Sequence, residues 1–236
     1  MKKGFLALLT LAFSMTVFSQ DSTIHKKDRK RDVLLVTSLG DIVIRLSDST
    51  PLHRDNFLKL VKLHYYDGVL FHRVIENFMI QGGDPNSRNA ASGKGLGNGG
   101  PFYTIPAEFR TSLFHKKGMI AAARTGDNEN PLKASSGSQF YLTQGKKFTE
   151  AGLDSVETIR LKGRKIPADQ REVYKTLGGI PHLDQNYTVF GEVIKGIEVI
   201  DRIAAVPTSK ATTDRDRPLE DVKIIEAKLI KRHKNK

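Results

Sequence analysis

The residue best placed to do chemistry in this chain is an arginine set among apolar side chains. Arg73 lies in the run Phe71-His72-Arg73-Val74-Ile75, and Glu76-Asn77 joins that run to Phe78-Met79-Ile80-Gln81. Two short apolar runs around a polar pair read as strands joined by a tight turn. Side chains alternate along a strand, so Phe71, Arg73 and Ile75 are expected on one face, and Met79 and Gln81 on one face of the next. A lone arginine in such a place snorkels from an edge or pairs with a carboxylate. Arg73 has company: a cation, an amide and large apolar side chains converge within a few residues, which is the composition of a ligand site.

Other chemistries lack their residues. There is no cysteine, and no serine stands in a nucleophile-elbow context. None of the seven histidines is spaced as zinc ligands are. Gly95 to Gly100 satisfies G-x-G-x-x-G, but it runs into Pro101, Tyr103 and Pro106 instead of opening a helix, so a dinucleotide site is not expected. It reads as a loop wrapped closely against neighbouring backbone. A reaction at Arg73 is expected to need no nucleophile, no metal and no cofactor.

The elements that must hold these residues follow from periodicity. Residues 33–37 and 42–46 form a hairpin around Gly40-Asp41. A helix starts at Ser49 or Thr50 as N-cap with Pro51 in its first turn, and Phe57, Leu60, Val61 and His64 make one buried stripe with His64 at its edge. Residues 118–123 and 138–143 are buried strands, the second with Gln139 and Tyr141 on one face, and 124–137 is a long loop. The stretch 148–179 differs in kind, with helical patterns at 149–153 and 167–174. A strand at 187–193, a helix at 197–204 and a strand at 222–230 complete the order.

The chain of 236 residues is long enough for one sizeable core. Met1-Lys2-Lys3-Gly4 followed by an apolar run to Phe18 is the pattern of a signal peptide, with cleavage expected after Ser19 and no membrane span left afterwards. The expected organisation is a signal peptide at 1–19, a polar basic linker at 20–31, one domain at 32–230 with an insertion at about 148–179, and a basic tail at 231–236. An exported protein, periplasmic or secreted, is the reading; without cysteine it uses neither lipidation nor disulfides. The formal charge is +12, and much of the excess stands at 26–31 and 231–236, read as solvated ends. No aromatic residue is interleaved with them, so no nucleic-acid partner is expected.

Four blocks together resemble the cyclophilin-type peptidyl-prolyl cis-trans isomerases: 71–75 with 78–84, the glycine loop, Ser136-Gly137-Ser138-Gln139-Phe140, and Leu183-Asp184 with Val189-Phe190-Gly191. The resemblance spans about 32–230 apart from 148–179. It implies a mainly β fold, an eight-stranded antiparallel closed barrel capped by two α-helices, with the site on the outer face. It also implies a monomer acting on proline-containing polypeptides, with Arg73 as the catalytic donor to the prolyl nitrogen. Phe78, Met79 and Tyr141 would form the proline slot, Gln81 and Gln139 would hold peptide carbonyls, and His72 and Leu183 would line the rim. Ala123, Arg124, His182 and Tyr187 complete the substrate-binding set. Four positions depart from the family: Tyr141 stands for the usual Phe, His182 for a frequent Trp, Ala122 for a frequent Met and Arg124 for an Asn. His182 is expected to make binding sensitive to pH near 6 to 7. A non-catalytic proline-peptide binding or holdase module is the alternative.

Overall fold

The structure is a computed structural model that describes residues 22–232; the expected signal peptide at 1–19 and the end of the basic tail lie outside the described residues. In chain order the elements are β1 Arg31–Thr37, β2 Gly40–Leu46, α1 Pro51–Lys62, β3 Arg73–Ile75, β4 Met79–Gly82, β5 Thr104–Ile105, β6 Met119–Ala122, β7 Ser135–Ser136 and β8 Phe140–Thr143. Then come α2 Glu150–Ser155, a π-helical turn Val156–Arg160, α3 Ala168–Thr176, β9 Val189–Lys195, α4 Ile197–Ala204 and β10 Ile224–Lys231. Among these described residues no helix is long and apolar enough to cross a membrane.

Eight strands form one antiparallel sheet in the order β10-β1-β2-β9-β6-β8-β4-β3, and β5 pairs with β7 as a separate ribbon. The sheet curls until its outer strands meet through the segments that precede them. Leu70 bridges Lys223, Phe71 N–H donates to Val222 O at 2.8 Å, and Ile224 N–H donates to Val69 O at 2.8 Å. Closing the sheet in this way leaves no long row of unpaired backbone groups.

Alternation along the strands separates two apolar layers. Phe140 and Leu142 of β8 and Ile120 and Ala122 of β6 point into the barrel, where they meet Val33, Leu35 and Ile44. The apolar stripe of α1 (Phe57, Leu58, Leu60, Val61) and that of α4 (Val199, Ile200, Ile203) pack into the same core. Each such side chain stabilises the fold by roughly 1.5–3 kcal/mol on burial. The intervening residues, Met119, Ala121 and Tyr141, face outward and join Met79, Ile180 and Val189 in a second cluster. The 148–179 segment has a third cluster of its own, Leu153, Leu161, Ile166 and Tyr174.

Several expectations are corrected. Phe71 does not share a face with Arg73; β3 begins only at Arg73, so the alternation does not extend back to Phe71, which lies in the barrel core. His64 lies past the end of α1 at φ +53°, about half exposed, and pairs with Asp67 at 2.9 Å instead of ending a buried stripe. Thr50 is the N-cap, yet its side chain caps nothing. Glu108, distant in sequence, accepts the first-turn N–H groups of Leu52 and His53 at 3.2 and 3.0 Å. The basic run at 26–31 exposes Lys26, Lys27, Lys30 and Arg31 as expected, but it is held in place and is not a free end. Asp28 is buried and pairs with Lys62 at 3.3 Å, and Arg29 reaches Asp55 at 2.8 Å, so this run is bound to α1.

Candidate active site

The outward cluster is the floor of a slot. The turn Glu76-Asn77, with Asn77 at φ +61°, brings β3 and β4 into register with Arg73 opposite Gln81 and Ile75 opposite Met79. β4 in turn places Gln81 opposite Tyr141 of β8, and β6 places Ala121 opposite the same tyrosine. Arg73, Phe78, Met79, Gln81, Ala123, Arg124, Tyr141, Leu183 and Tyr187 line one cavity of about 110 Å³. Nine of the expected site residues therefore meet in one place, although they span positions 73 to 187.

Polar groups stand on one side of this slot. Arg73 is partly exposed, its Nη1 is 3.4 Å from Gln81 Oε1 and its Nε is 3.9 Å from Asp216 Oδ2. Gln81 Nε2 donates to Gln139 Oε1 at 3.1 Å, and Gln139 Nε2 donates to the carbonyls of Gly97 and Gly99 at 2.8 and 2.7 Å. Gln81, Gln139 and the glycine loop thus form one chain of hydrogen bonds, with the Arg73 guanidinium at its solvent-facing end. Gln139 is not in the slot; it lines an adjoining groove of about 540 Å³ that shares Gln81, Ala123 and Arg124 with it.

The glycine loop forms the groove's far wall, as a loop and not as the start of a helix. Buried Asp84 accepts Gly97 N–H at 2.5 Å, and a Cβ on Gly99 would lie 2.0 Å from Asp84 Oδ1. Only glycine permits that approach.

The remaining expected residues sit around the slot. His182 stacks on Phe78, ring centres 6.0 Å apart and planes within 4°. Burial pushes its pKa down to about 4, assisted by the nearby Arg160 charge, so the expected titration near 6 to 7 is corrected. His72 does not line the rim. It is buried, with neither ring nitrogen hydrogen-bonded within the protein, and stands behind Gly97; burial lowers its pKa to about 4. Arg124 turns its guanidinium over the Tyr187 ring at 4.5 Å and donates to Asn186 O at 2.8 Å, so its charge is engaged by the slot's own wall.

Sequence reasoning missed two sets of residues. His115 meets the hydroxyl of Tyr141 from behind the slot, and Tyr174 is joined to it through Asp184 and His115; neither stands in a motif. The other set is a Ser-His-acid constellation, judged absent from the sequence: His53 lies 2.7 Å from Glu108 Oε2 and 2.9 Å from Ser135 Oγ. Its members come from α1, a loop and β7, so no local pattern announces them. All three are buried, and the pair ties the β5–β7 ribbon to α1 instead of meeting a substrate.

The comparisons with known proteins bear on the family and the fold. Residues 33–229 match the family model for cyclophilin type peptidyl-prolyl cis-trans isomerases. A putative peptidyl-prolyl cis-trans isomerase of Staphylococcus epidermidis is 36% identical over 199 residues, which are 84% of this chain and 91% of that protein. A putative bifunctional phosphatase/peptidyl-prolyl cis-trans isomerase of Streptococcus pyogenes is 37% identical over 195 residues, and the match spans 80% of this chain but only 37% of that relative. Among solved structures, a cyclophilin type isomerase of Cryptosporidium parvum superposes with a TM-score of 0.59 at 24% identity, covering 87% of this chain and 99% of that one. A second structure of the same protein was determined in the presence of the dipeptide Ala-Pro. By the family model and these relatives, the chain belongs to the cyclophilin-type peptidyl-prolyl cis-trans isomerases.

Proposed function

We propose that this isomerase accelerates X-Pro rotation in exported polypeptides and that Arg73 is the group that lowers the barrier. The observation that carries the reading is a guanidinium beside Gln81 at the edge of an apolar slot. The amide bond resists rotation because nitrogen shares its lone pair with the carbonyl, a barrier of about 18–20 kcal/mol. At the twisted transition state the lone pair returns to nitrogen and becomes an acceptor. A donor aimed there binds the twisted form more tightly than either planar form, and that difference is catalysis. Arginine suits the task because its charge and fork are permanent. Phe78, Met79, Tyr141 and Leu183 hold the ring, so the bond turns about a fixed prolyl side while the groove receives the preceding residues.

Export rests on the pattern of residues 1–19. N-terminal sequencing of the native protein from an envelope or culture fraction should begin at Gln20; a start at Met1 in the cytoplasmic fraction contradicts it. NMR exchange spectroscopy on an Ala-Pro peptide tests the activity. Cross-peaks between cis and trans that grow with substoichiometric protein support the reading, whereas binding without faster exchange leaves the non-catalytic binding module.

A further inference from the structure

Two features have no part in the rotation chemistry above: the hydroxyl that Tyr141 carries, and the helical segment 148–179. The structure joins them. Tyr141 closes the slot with its ring, edge-on to Tyr187 at 6.0 Å, while its hydroxyl reaches His115 Nε2 at 2.8 Å. The other ring nitrogen, Nδ1, is 2.8 Å from Asp184 Oδ1, which also accepts the His115 backbone N–H at 2.8 Å. Asp184 Oδ2 accepts the Tyr174 hydroxyl at 2.6 Å.

The direction of each bond follows from its end groups. An ionised carboxylate only accepts, so Nδ1 carries a proton, and in the neutral imidazole Nε2 then accepts from the Tyr141 hydroxyl, which has no other partner among the described residues. The chain therefore runs Tyr141 O–H to Nε2, and Nδ1–H to Asp184, which Tyr174 O–H meets from the other side. His115 and Tyr174 have no exposed surface, and Tyr141 and Asp184 are 4% and 5% exposed. A buried polar chain with every member paired admits one arrangement, because each alternative leaves a donor or acceptor unsatisfied.

Tyr174 belongs to α3 and is embedded among Leu153, Leu161 and Ile166. Ring contacts with Phe114 at 5.5 Å and Phe148 at 6.4 Å lock it further. The outer end of the chain is thus as rigid as the cluster it sits in. Its inner end is a ring in the slot.

We propose that Tyr174 is a positioning residue for the isomerase: through Asp184 and His115 it fixes the Tyr141 ring against the proline, making the 148–179 segment part of the active site. The inference rests on the slot being the isomerase site. Its signature is coupling, since removing the Tyr174 hydroxyl matters only while Tyr141 has a hydroxyl to be held by.

The test is a double-mutant cycle on the full-length mature protein, measuring kcat and KM for an Ala-Pro peptide by NMR exchange. Small misplacements of a binding group are amplified in rate, so Tyr174→Phe is expected to lower kcat/KM about tenfold in the parent. In a Tyr141→Phe background the same change is expected to alter it by less than about twofold, within the additivity error of independent sites. Equal losses in both backgrounds, or no loss in the parent, overturn the inference. If Tyr174→Phe does not fold, Asp184→Asn is read by the same two ratios. An inactive parent overturns the reading of the slot and this inference with it; an active parent with background-independent losses overturns this inference alone.

Discussion

Arg73 and His182 show how context decides what a residue type can do. Arg73 keeps its side chain partly in solvent, so its charge costs little to maintain beside Gln81 and Asp216. His182 lies under the opposite constraint. Packed on Phe78 and desolvated, it holds its pKa near 4, so it is neutral over the range in which a free histidine titrates. Peptide binding is therefore expected to be independent of His182 ionisation down to about pH 5 and to weaken as the ring charges below that. A His182→Phe variant should retain the stack and lose that acid limb, measured as Kd against pH by fluorescence or NMR titration. An inflection near 6.5 that disappears in this variant contradicts the assignment.

Among the elements, the 148–179 segment is the one whose stability can be varied separately from the barrel. Glu157, 2% exposed, accepts from Lys165 at 2.7 Å, Arg171 at 2.6 Å and the backbone N–H of Ile166 at 3.0 Å. The Lys165 hydrogen bond, with help from Ile166 and Arg171, lowers its pKa to about 2. Glu157→Ala leaves the buried Ile166 N–H without its acceptor, while Arg171 keeps Glu150 and Asp154 and Lys165 stands in solvent, so the expected cost is that of one unsatisfied donor, about 1–3 kcal/mol. Hydrogen exchange is expected to accelerate across 156–166 while the barrel strands stay protected, and uniform acceleration would show the segment and barrel to unfold as one. The helices of this segment were legible in the sequence because Pro167 and the periodicity mark them. Its attachment was not: Tyr174 and Asp184 are ten residues apart, and His115 lies far from both, so their meeting depends on tertiary packing alone. The same holds for His53, Glu108 and Ser135. Arg73, Phe78 and Gln81 could be read because one hairpin carries them, and strand alternation relates their faces. The reading failed at Phe71, two residues before β3 begins, and at His64, two residues after α1 ends, where the pattern runs beyond the regular structure.

The stability of the molecule as a whole should depend on acid through its buried histidines. Burial lowers the pKa of His53, and of His72 and His182 to about 4 each. Since these folded-state values lie below the unfolded value of about 6.5, the unfolded chain binds more protons between them. Stability is then expected to be full above about pH 6.5 and to fall as the pH drops toward 4, by about 1.4 kcal/mol per pH unit for each such proton. Urea midpoints between those limits measure the slope, which His72→Leu should reduce; a flat profile contradicts the burial argument. At this scale the closed barrel was anticipated from the family resemblance, whereas closure through Leu70 and Lys223 required the structure. The central claim remains that one guanidinium supplies the differential binding of the twisted amide. It is tested most directly by exchange rates on an Ala-Pro peptide with parent and Arg73→Ala proteins of equal thermal stability. Loss of one preorganised donor predicts a fall of about 10²–10³ in kcat/KM with peptide binding retained. An Arg73→Ala protein that turns the bond as fast as the parent contradicts it.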